Sequence, residues 1–418
     1  MVNQITFTRF IAAFLIVFFH FGHLPTENTV VKSFIGHLNL GVSYFYVLSG
    51  FVMMLAYSNY QRINPKDYFV NRIARIYPLH ILALVLTILV GVMISINYLE
   101  HCKLDLKTLL FQVLLVQAWI PEYSLSLNVP AWSISVEMFF YFLFPFLFNS
   151  VIKKIKPIYL FGFVLLFWLM CQIGFNLYYF SDSYGDERLD RYFLNHNPFF
   201  HLNSFLVGIA GGLFYTSKGK YMQKNYDLLI VFIFALICSL IFIFRDYFLH
   251  NGFMAIPFVM LILFLSMNTG FITKIFSSPT AIYLGEISFA VYLLQSPVYQ
   301  LVRKILSVLN IDIPYLVFFT GLAVLLVLSH LTYKYFETPL RVKIKNLYSK
   351  KAKENNLLPV MSYYIVFIVI SISIFYRSIK ENNYLSSALF IFFLLWNLYV
   401  LFMIIGKNYL QKKRVDNT

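Results

Sequence analysis

The chain has 418 residues, of which 60% are hydrophobic, 20% aromatic and only 12% charged, with a mean hydropathy of +0.73. A soluble domain is about half apolar and about a quarter charged, and it must cover its surface with polar atoms. The composition therefore excludes a water-soluble protein and predicts an all-α polytopic membrane protein. The 33 Lys and Arg against 18 Asp and Glu fit nucleic-acid binding or a positive-inside membrane protein, and the placement of the charges decides between them.

Twelve mostly apolar stretches of about 20 residues read as membrane spans. They lie near 5–22, 38–57, 78–98, 133–150, 157–177, 199–216, 227–245, 252–268, 281–302, 314–335, 359–377 and 384–406. The first reads as a retained span, since no small-residue cleavage site follows Gly22. The apolar run near 108–120 is too short to span and stops at Pro121 and Glu122, so it reads as an interfacial or re-entrant segment. With the N-terminus inside, 22 of the 33 basic residues fall on the cytoplasmic side, 10 outside, and Arg9 within span one. That asymmetry puts both termini in the cytoplasm and removes the nucleic-acid reading. The expected organisation is a membrane domain over 1–345, a basic cytoplasmic linker over 346–358, two additional spans over 359–406 and a tail over 407–418. Cys102, Cys171 and Cys238 show no paired spacing, so neither a disulfide framework nor a zinc module is indicated.

Ionisable side chains within spans are costly and are usually functional or paired. Arg9 and His20 are eleven residues apart, three turns along one face and about 16 Å along the axis. One reading is a snorkelling arginine and an interfacial imidazole. The other is a general base facing a water-filled cavity, with an arginine on the same wall to hold an anion. His23 lies one turn past His20, but two imidazoles without a neighbouring carboxylate predict no metal site. Arg72 and Arg75, at i and i+3 on a short helix before Pro78, form either a fork suited to phosphate or ordinary positive-inside anchoring. Glu137 has Ser133 and Tyr141 one turn away on either side. Its depth in the outer half of the bilayer predicts that it meets His20 around one cavity, unless it is exposed among headgroups. Glu286, Ser288 and His330 read as structural polar contacts with a secondary claim to line that cavity, and Glu337 with Arg341 reads as an i, i+4 ion pair. No G-x-S-x-G, H-E-x-x-H or phosphate-binding glycine loop occurs.

The order of motifs resembles the acyltransferase 3 family of integral membrane acyltransferases. The residues that carry the resemblance are Arg9 and His20, FYVLSGFVM from Phe45, NRIARIYP around Arg72 and Arg75, WSISVEMFFY from Trp132, NPFFHLNSFLVG around Phe205, ISFAVYLLQSP around Tyr292, and YFETPLR around Glu337. The resemblance implies a bundle of ten helices, followed here by the two additional spans. It also implies transfer of an acetyl or other short acyl group from acyl-CoA to a hydroxyl of a surface polysaccharide or its lipid-linked precursor. On that reading acyl-CoA phosphates dock on Arg72, Arg75 and Arg9. His20 is the general base or, as an alternative, an acyl carrier, and Glu137 orients it or the acceptor. Ser133, Tyr141 and His330 are candidate cavity-lining residues. No metal or permanently bound cofactor is implied. The partners are membrane lipids, acyl-CoA and the glycan acceptor, with homo-oligomerisation left open. Gln295 stands where many members have His, and His201 where Arg is common. The rival readings are a transporter or flippase of a lipid-linked sugar or acyl metabolite, and a family member that serves only in assembly.

Overall fold

The computed structural model describes residues 2–22, 29–94, 104–181, 184, 188–311 and 313–351. The expected additional spans over 359–406, the tail and His23 lie outside the described residues.

In chain order the α-helices are α1 (Gln4–Phe21), α2 (Thr29–Gly36), α3 (Gly41–Tyr57), α4 (Pro65–Ile94), α5 (Leu106–Leu114), α6 (Ala131–Leu147), α7 (Pro157–Tyr179), α8 (Arg188–His196), α9 (Leu202–Ser217), α10 (Asp227–Ile243), α11 (Ala255–Met267), α12 (Phe271–Phe276), α13 (Pro279–Val308), α14 (Pro314–Thr332) and α15 (Thr338–Lys351). Among the described residues there is no strand, only one isolated bridge between Lys224 and Asn268. Eight helical stretches are long and apolar enough to cross a membrane, and α10 and α11 are shorter apolar helices at the seventh and eighth expected spans. Phe163 and Leu166 on α7, Phe232 and Phe234 on α10, and Phe319 and Val327 on α14 are exposed. Such faces are stable only against lipid. The protein is a multi-pass membrane bundle.

One expected boundary and one expected ion pair are corrected. Span three does not begin at Pro78: α4 starts at Pro65 and runs for 30 residues straight through Pro78. A proline removes one helical hydrogen bond, a loss that neighbouring helices compensate in a packed membrane bundle. Arg72 and Arg75 therefore share one rigid rod with the span. The ion pair expected between Glu337 and Arg341 is also absent among the described residues. Tyr333–Glu337 forms a π-helical turn between α14 and α15, which shifts the phase of the helix, and Glu337 is buried.

The short segment near 108–120 folds back on itself. Asp105 caps α5 through the Thr108 N–H at 2.6 Å, and Leu115 ends it in the left-handed region at φ 56°. Its buried glutamines tie it to the bundle: the Gln112 carbonyl lies 2.8 Å from His80 Nε2, and Gln117 Nε2 donates to the Ala131 carbonyl at 3.0 Å.

Packing between helices relies on close backbone approach. A Cβ added at Gly208 on α9 would lie 2.0 Å from the Val47 carbonyl oxygen of α3, and one at Gly50 would lie 2.1 Å from that of Phe205. Apolar side chains are no better buried against each other than against lipid tails, so small residues that permit such contact are the natural association surface.

Candidate functional site

The helices α1 and α13 run side by side in parallel register. A Cβ at Gly285 would meet the Thr6 carbonyl oxygen at 2.1 Å, and fourteen residues further along α13 the Tyr299 ring stacks on Phe21 with centroids 4.0 Å apart. Thr8 Oγ1 donates to the Ile5 carbonyl and accepts from Tyr44 of α3 at 2.6 Å, fixing the first half of α1 from the other side. Arg9 is thereby held level with Ser288, and His20 level with Tyr299. On α6, Ser133 Oγ lies 2.7 Å from Tyr292 Oη and donates to the Pro130 carbonyl. Glu137, one turn below Ser133, therefore stands at the level of Arg9.

Glu137 accepts a short hydrogen bond from Tyr141 Oη and a longer one, 3.4 Å, from Ser49 Oγ of α3. Arg9 lies within electrostatic reach of Arg75, Glu137, Tyr141 and Glu337. The Arg72 guanidinium sits among the rings of Tyr57, Tyr68 and Tyr141, 5.8, 5.3 and 5.3 Å from their centroids, and its Nη2 donates to Tyr57 Oη at 3.4 Å. Arg75 is within electrostatic reach of Tyr141 and Glu337. From α15, Arg341 acts on Glu337, and Lys345 is within reach of Arg341, Arg72 and Arg75. One Glu337 carboxylate oxygen, Oε2, is buried with no hydrogen-bond partner.

Five cations thus gather around Glu137 and Glu337 at one end of the bundle, the arginines half-buried and Lys345 exposed. Buried charge is normally paired because its desolvation is so costly. The cations outnumber these two carboxylates by three, an arrangement chemically suited to an anion such as phosphate. Arg72 is already stacked on three aromatic rings, a stabilising arrangement for a guanidinium, so Arg75, Arg341 and Lys345 are the cations most available to a ligand.

Of the residues singled out from sequence, Arg9, Arg72, Arg75, Glu137 and Tyr141 come together. His20 does not join them. It is half-buried between Phe19 and Phe21 with ring centroids 4.9 and 6.0 Å away, about three turns of α1 and roughly 16 Å beyond Arg9. The expected meeting of Glu137 with His20 is corrected accordingly: α6 carries Glu137 down to the arginines. Ser133 is engaged by Tyr292. His330 Nδ1 lies 2.6 Å from Tyr283 Oη, whose ring packs edge-on against Tyr333, and Tyr333, which bonds Glu286, lies within electrostatic reach of Arg341 at the edge of the cationic centre. Gln295 is buried and donates to the Tyr292 carbonyl at 2.7 Å. Among the described residues no group of three His, Cys, Asp or Glu is arranged to hold a metal ion. Glu337, Lys345, Tyr57 and Tyr68 belong to the centre and were not predicted as members of it. Tyr68, one turn before Arg72, was the available signal.

Fold and centre define a class: a polytopic helical membrane protein with a cluster of basic side chains at one end of the bundle and His20 some 16 Å further along the helix that bears Arg9. The chain belongs to the acyltransferase 3 family, whose model, described as an acyltransferase domain, matches residues 2–334. It is similar to a provisionally named O-acetyltransferase of Staphylococcus aureus strain COL, 24% identical over 326 residues, 72% of this chain and 52% of the relative. It is similar to the peptidoglycan O-acetyltransferase OatA of Listeria monocytogenes, 22% identical over 338 residues, 76% of this chain and 53% of the relative. A shorter match, 35% over 122 residues, 28% of this chain and 30% of the relative, is to the acyltransferase MdmB of Streptomyces mycarofaciens. The chain spans about half the length of the curated relatives it matches across most of its own. No solved structure matches it at a significant level.

Proposed function

We propose that the protein transfers a short acyl group, acetyl in the simplest case, from acyl-CoA to a hydroxyl of a surface or exported glycan or its lipid-linked precursor. The observation that carries this reading is the excess of three positive charges around Arg9, Arg75, Arg341 and Lys345 with His20 three turns away on the helix that bears Arg9. A donor with a polyphosphate head and a long thioester arm suits that pair of features: the phosphates bind the cations, and the arm runs along α1 to the imidazole. The names of the relatives, O-acetyltransferases of bacteria, support the acyl group and the hydroxyl acceptor.

His20 takes the proton of the acceptor hydroxyl as that oxygen attacks the thioester carbonyl. The tetrahedral centre collapses with cleavage of the carbon–sulfur bond, and the departing thiolate takes the proton from the His20 imidazolium, completing ester and free thiol and restoring the base. Glu137, bonded by Tyr141 and within electrostatic reach of Arg9, acts as a positioning residue for the donor end. The protein works in a bacterial cell membrane with both termini in the cytoplasm, so that donor enters from the side where it is made and acceptor from the opposite side.

The test uses the full chain in nanodiscs with labelled acetyl-CoA and surface polysaccharide extracted from the producing cells. Label should appear as ester on the polysaccharide, and Arg75→Glu should raise the half-saturating acetyl-CoA concentration about tenfold or more, since one charge-assisted contact to phosphate is worth roughly 1.5–3 kcal/mol. Absence of thioester cleavage with and without polysaccharide would overturn the reading, as would label crossing a sealed vesicle uncleaved, which is the behaviour of a transporter.

A further inference from the structure

At the end of α6 away from Tyr141, a second group of polar side chains surrounds Trp132. The ring centroids of His196, His201 and His250 lie 4.6, 5.5 and 5.7 Å from the indole, and Tyr46 packs against His201 at 5.0 Å. Three separate segments bring these imidazoles together: the end of α8, the 3₁₀ turn Pro198–His201, and the connection before α11. That connection is locked in place. Gly252 takes a φ of 92°, and a Cβ there would lie 2.0 Å from Asn203 Oδ1. The buried Asn251 donates to the Leu194 carbonyl at 2.7 Å, and Ser43 Oγ donates to the His250 carbonyl.

Each imidazole spends one ring nitrogen on a neighbouring oxygen. His196 Nδ1 lies 3.1 Å from the Tyr192 carbonyl, His201 Nε2 lies 2.9 Å from the Asn195 carbonyl, and His250 Nδ1 lies 3.1 Å from Asn251 Oδ1. These oxygens only accept, Asn251 having its amide nitrogen committed to Leu194, so each ring must donate there. The other nitrogen of each neutral ring is then an acceptor lone pair. His201 Nδ1 and Tyr46 Oη are buried with no hydrogen-bond partner. Buried polar atoms are almost always satisfied, so two orphans in one cluster, beside an indole and two further acceptor nitrogens, point to a ligand that supplies the missing partners. Three neutral acceptors and a phenol around an indole match a polyhydroxylated ring, whose hydroxyls donate to the imidazoles.

We propose that Tyr46, Trp132, His196, His201 and His250 form a subsite for a neutral sugar unit of the acceptor. The proposal rests on the acyltransferase reading for its purpose, though not for its binding chemistry. The variants follow from the ring assignments. His201→Gln retains the donor toward Asn195 and loses the free acceptor, and His196→Asn retains the donor toward Tyr192 and loses its free acceptor.

The experiment measures transfer from labelled acetyl-CoA to the extracted polysaccharide by the full chain in nanodiscs, together with the tryptophan fluorescence response to polysaccharide alone. Both histidine variants should raise the half-saturating polysaccharide concentration about tenfold, leaving the half-saturating acetyl-CoA concentration and acceptor-free thioester cleavage unchanged. Trp132→Phe should abolish the fluorescence response. Unchanged polysaccharide dependence, or donor and acceptor constants shifting together as a purely structural lesion would cause, overturns the subsite. A Trp132-dependent fluorescence response without transfer in the unsubstituted protein would overturn the acyltransferase reading and leave the subsite standing. Transfer with no Trp132-dependent response would do the reverse.

Discussion

His196 illustrates how much a single buried side chain reports about its surroundings. Burial pushes its imidazole from the ordinary 6.5 down to about 3, His250 nearby pushes in the same direction, and the bond to the Tyr192 carbonyl opposes both. The unfolded chain therefore binds a proton at this position that the folded chain refuses between those two values. Stability from this group is complete above about pH 6.5 and is lost as pH falls toward about 3. Thermal unfolding in detergent should accordingly shift to lower temperature across that window, and His196→Asn should flatten the shift; an unaltered pH profile in the variant would contradict the assignment. The arginines make the complementary point. Arg72 and Arg75 look equivalent as an i, i+3 pair, yet Arg72 is enclosed by Tyr57, Tyr68 and Tyr141. Sequence spacing gives the shared face of a helix but not which neighbouring helix supplies the rings.

Among the elements, the crossing of α3 and α9 is the tightest. Gly50 and Gly208 face each other's helix backbones with no room for a Cβ. Gly208→Ala should destabilise the folded protein by about 1–3 kcal/mol, the usual cost of overpacking, visible as a lower unfolding temperature with unaltered insertion; wild-type stability in that variant would refute the close approach. The helices themselves were largely legible, because a span is a local property of about 20 residues. The first turns of α4 were not. Residues 65–77 carry Lys66, Asp67, Arg72 and Arg75, which lower the local hydropathy, and Pro78 mimics a helix start. Glu337 was misread for a different reason: an i, i+4 rule assumes 3.6 residues per turn, and the π turn at Tyr333–Glu337 breaks that assumption.

Taken as a whole, the bundle has two chemically distinct ends. The cationic centre occupies one, around Arg9, Arg75, Glu337 and Lys345, and the Trp132 cluster occupies the end of α6 away from Tyr141. His20, level with Tyr299 on α13, lies beyond the cationic centre in the outward direction of the proposed topology. The sequence made Arg9, Arg72, Arg75, Glu137 and Tyr141 visible as isolated polar residues in an apolar chain. It could not pair them, since their meeting depends on the register of α1, α4, α6 and α13. The histidine cluster is not legible as a cluster because its members come from the end of α8, a 3₁₀ turn and a connection, which local sequence cannot bring together. The proposed activity requires His20 as the base of an acyl transfer whose donor would be anchored at the arginine centre. The most direct test is the rate of labelled acetyl transfer to polysaccharide by His20→Ala in nanodiscs, with acetyl-CoA binding measured on the same sample. Transfer should fall by about 100-fold or more, the lower range for loss of a positioned base, while acetyl-CoA still binds; transfer at the unsubstituted rate would contradict the account.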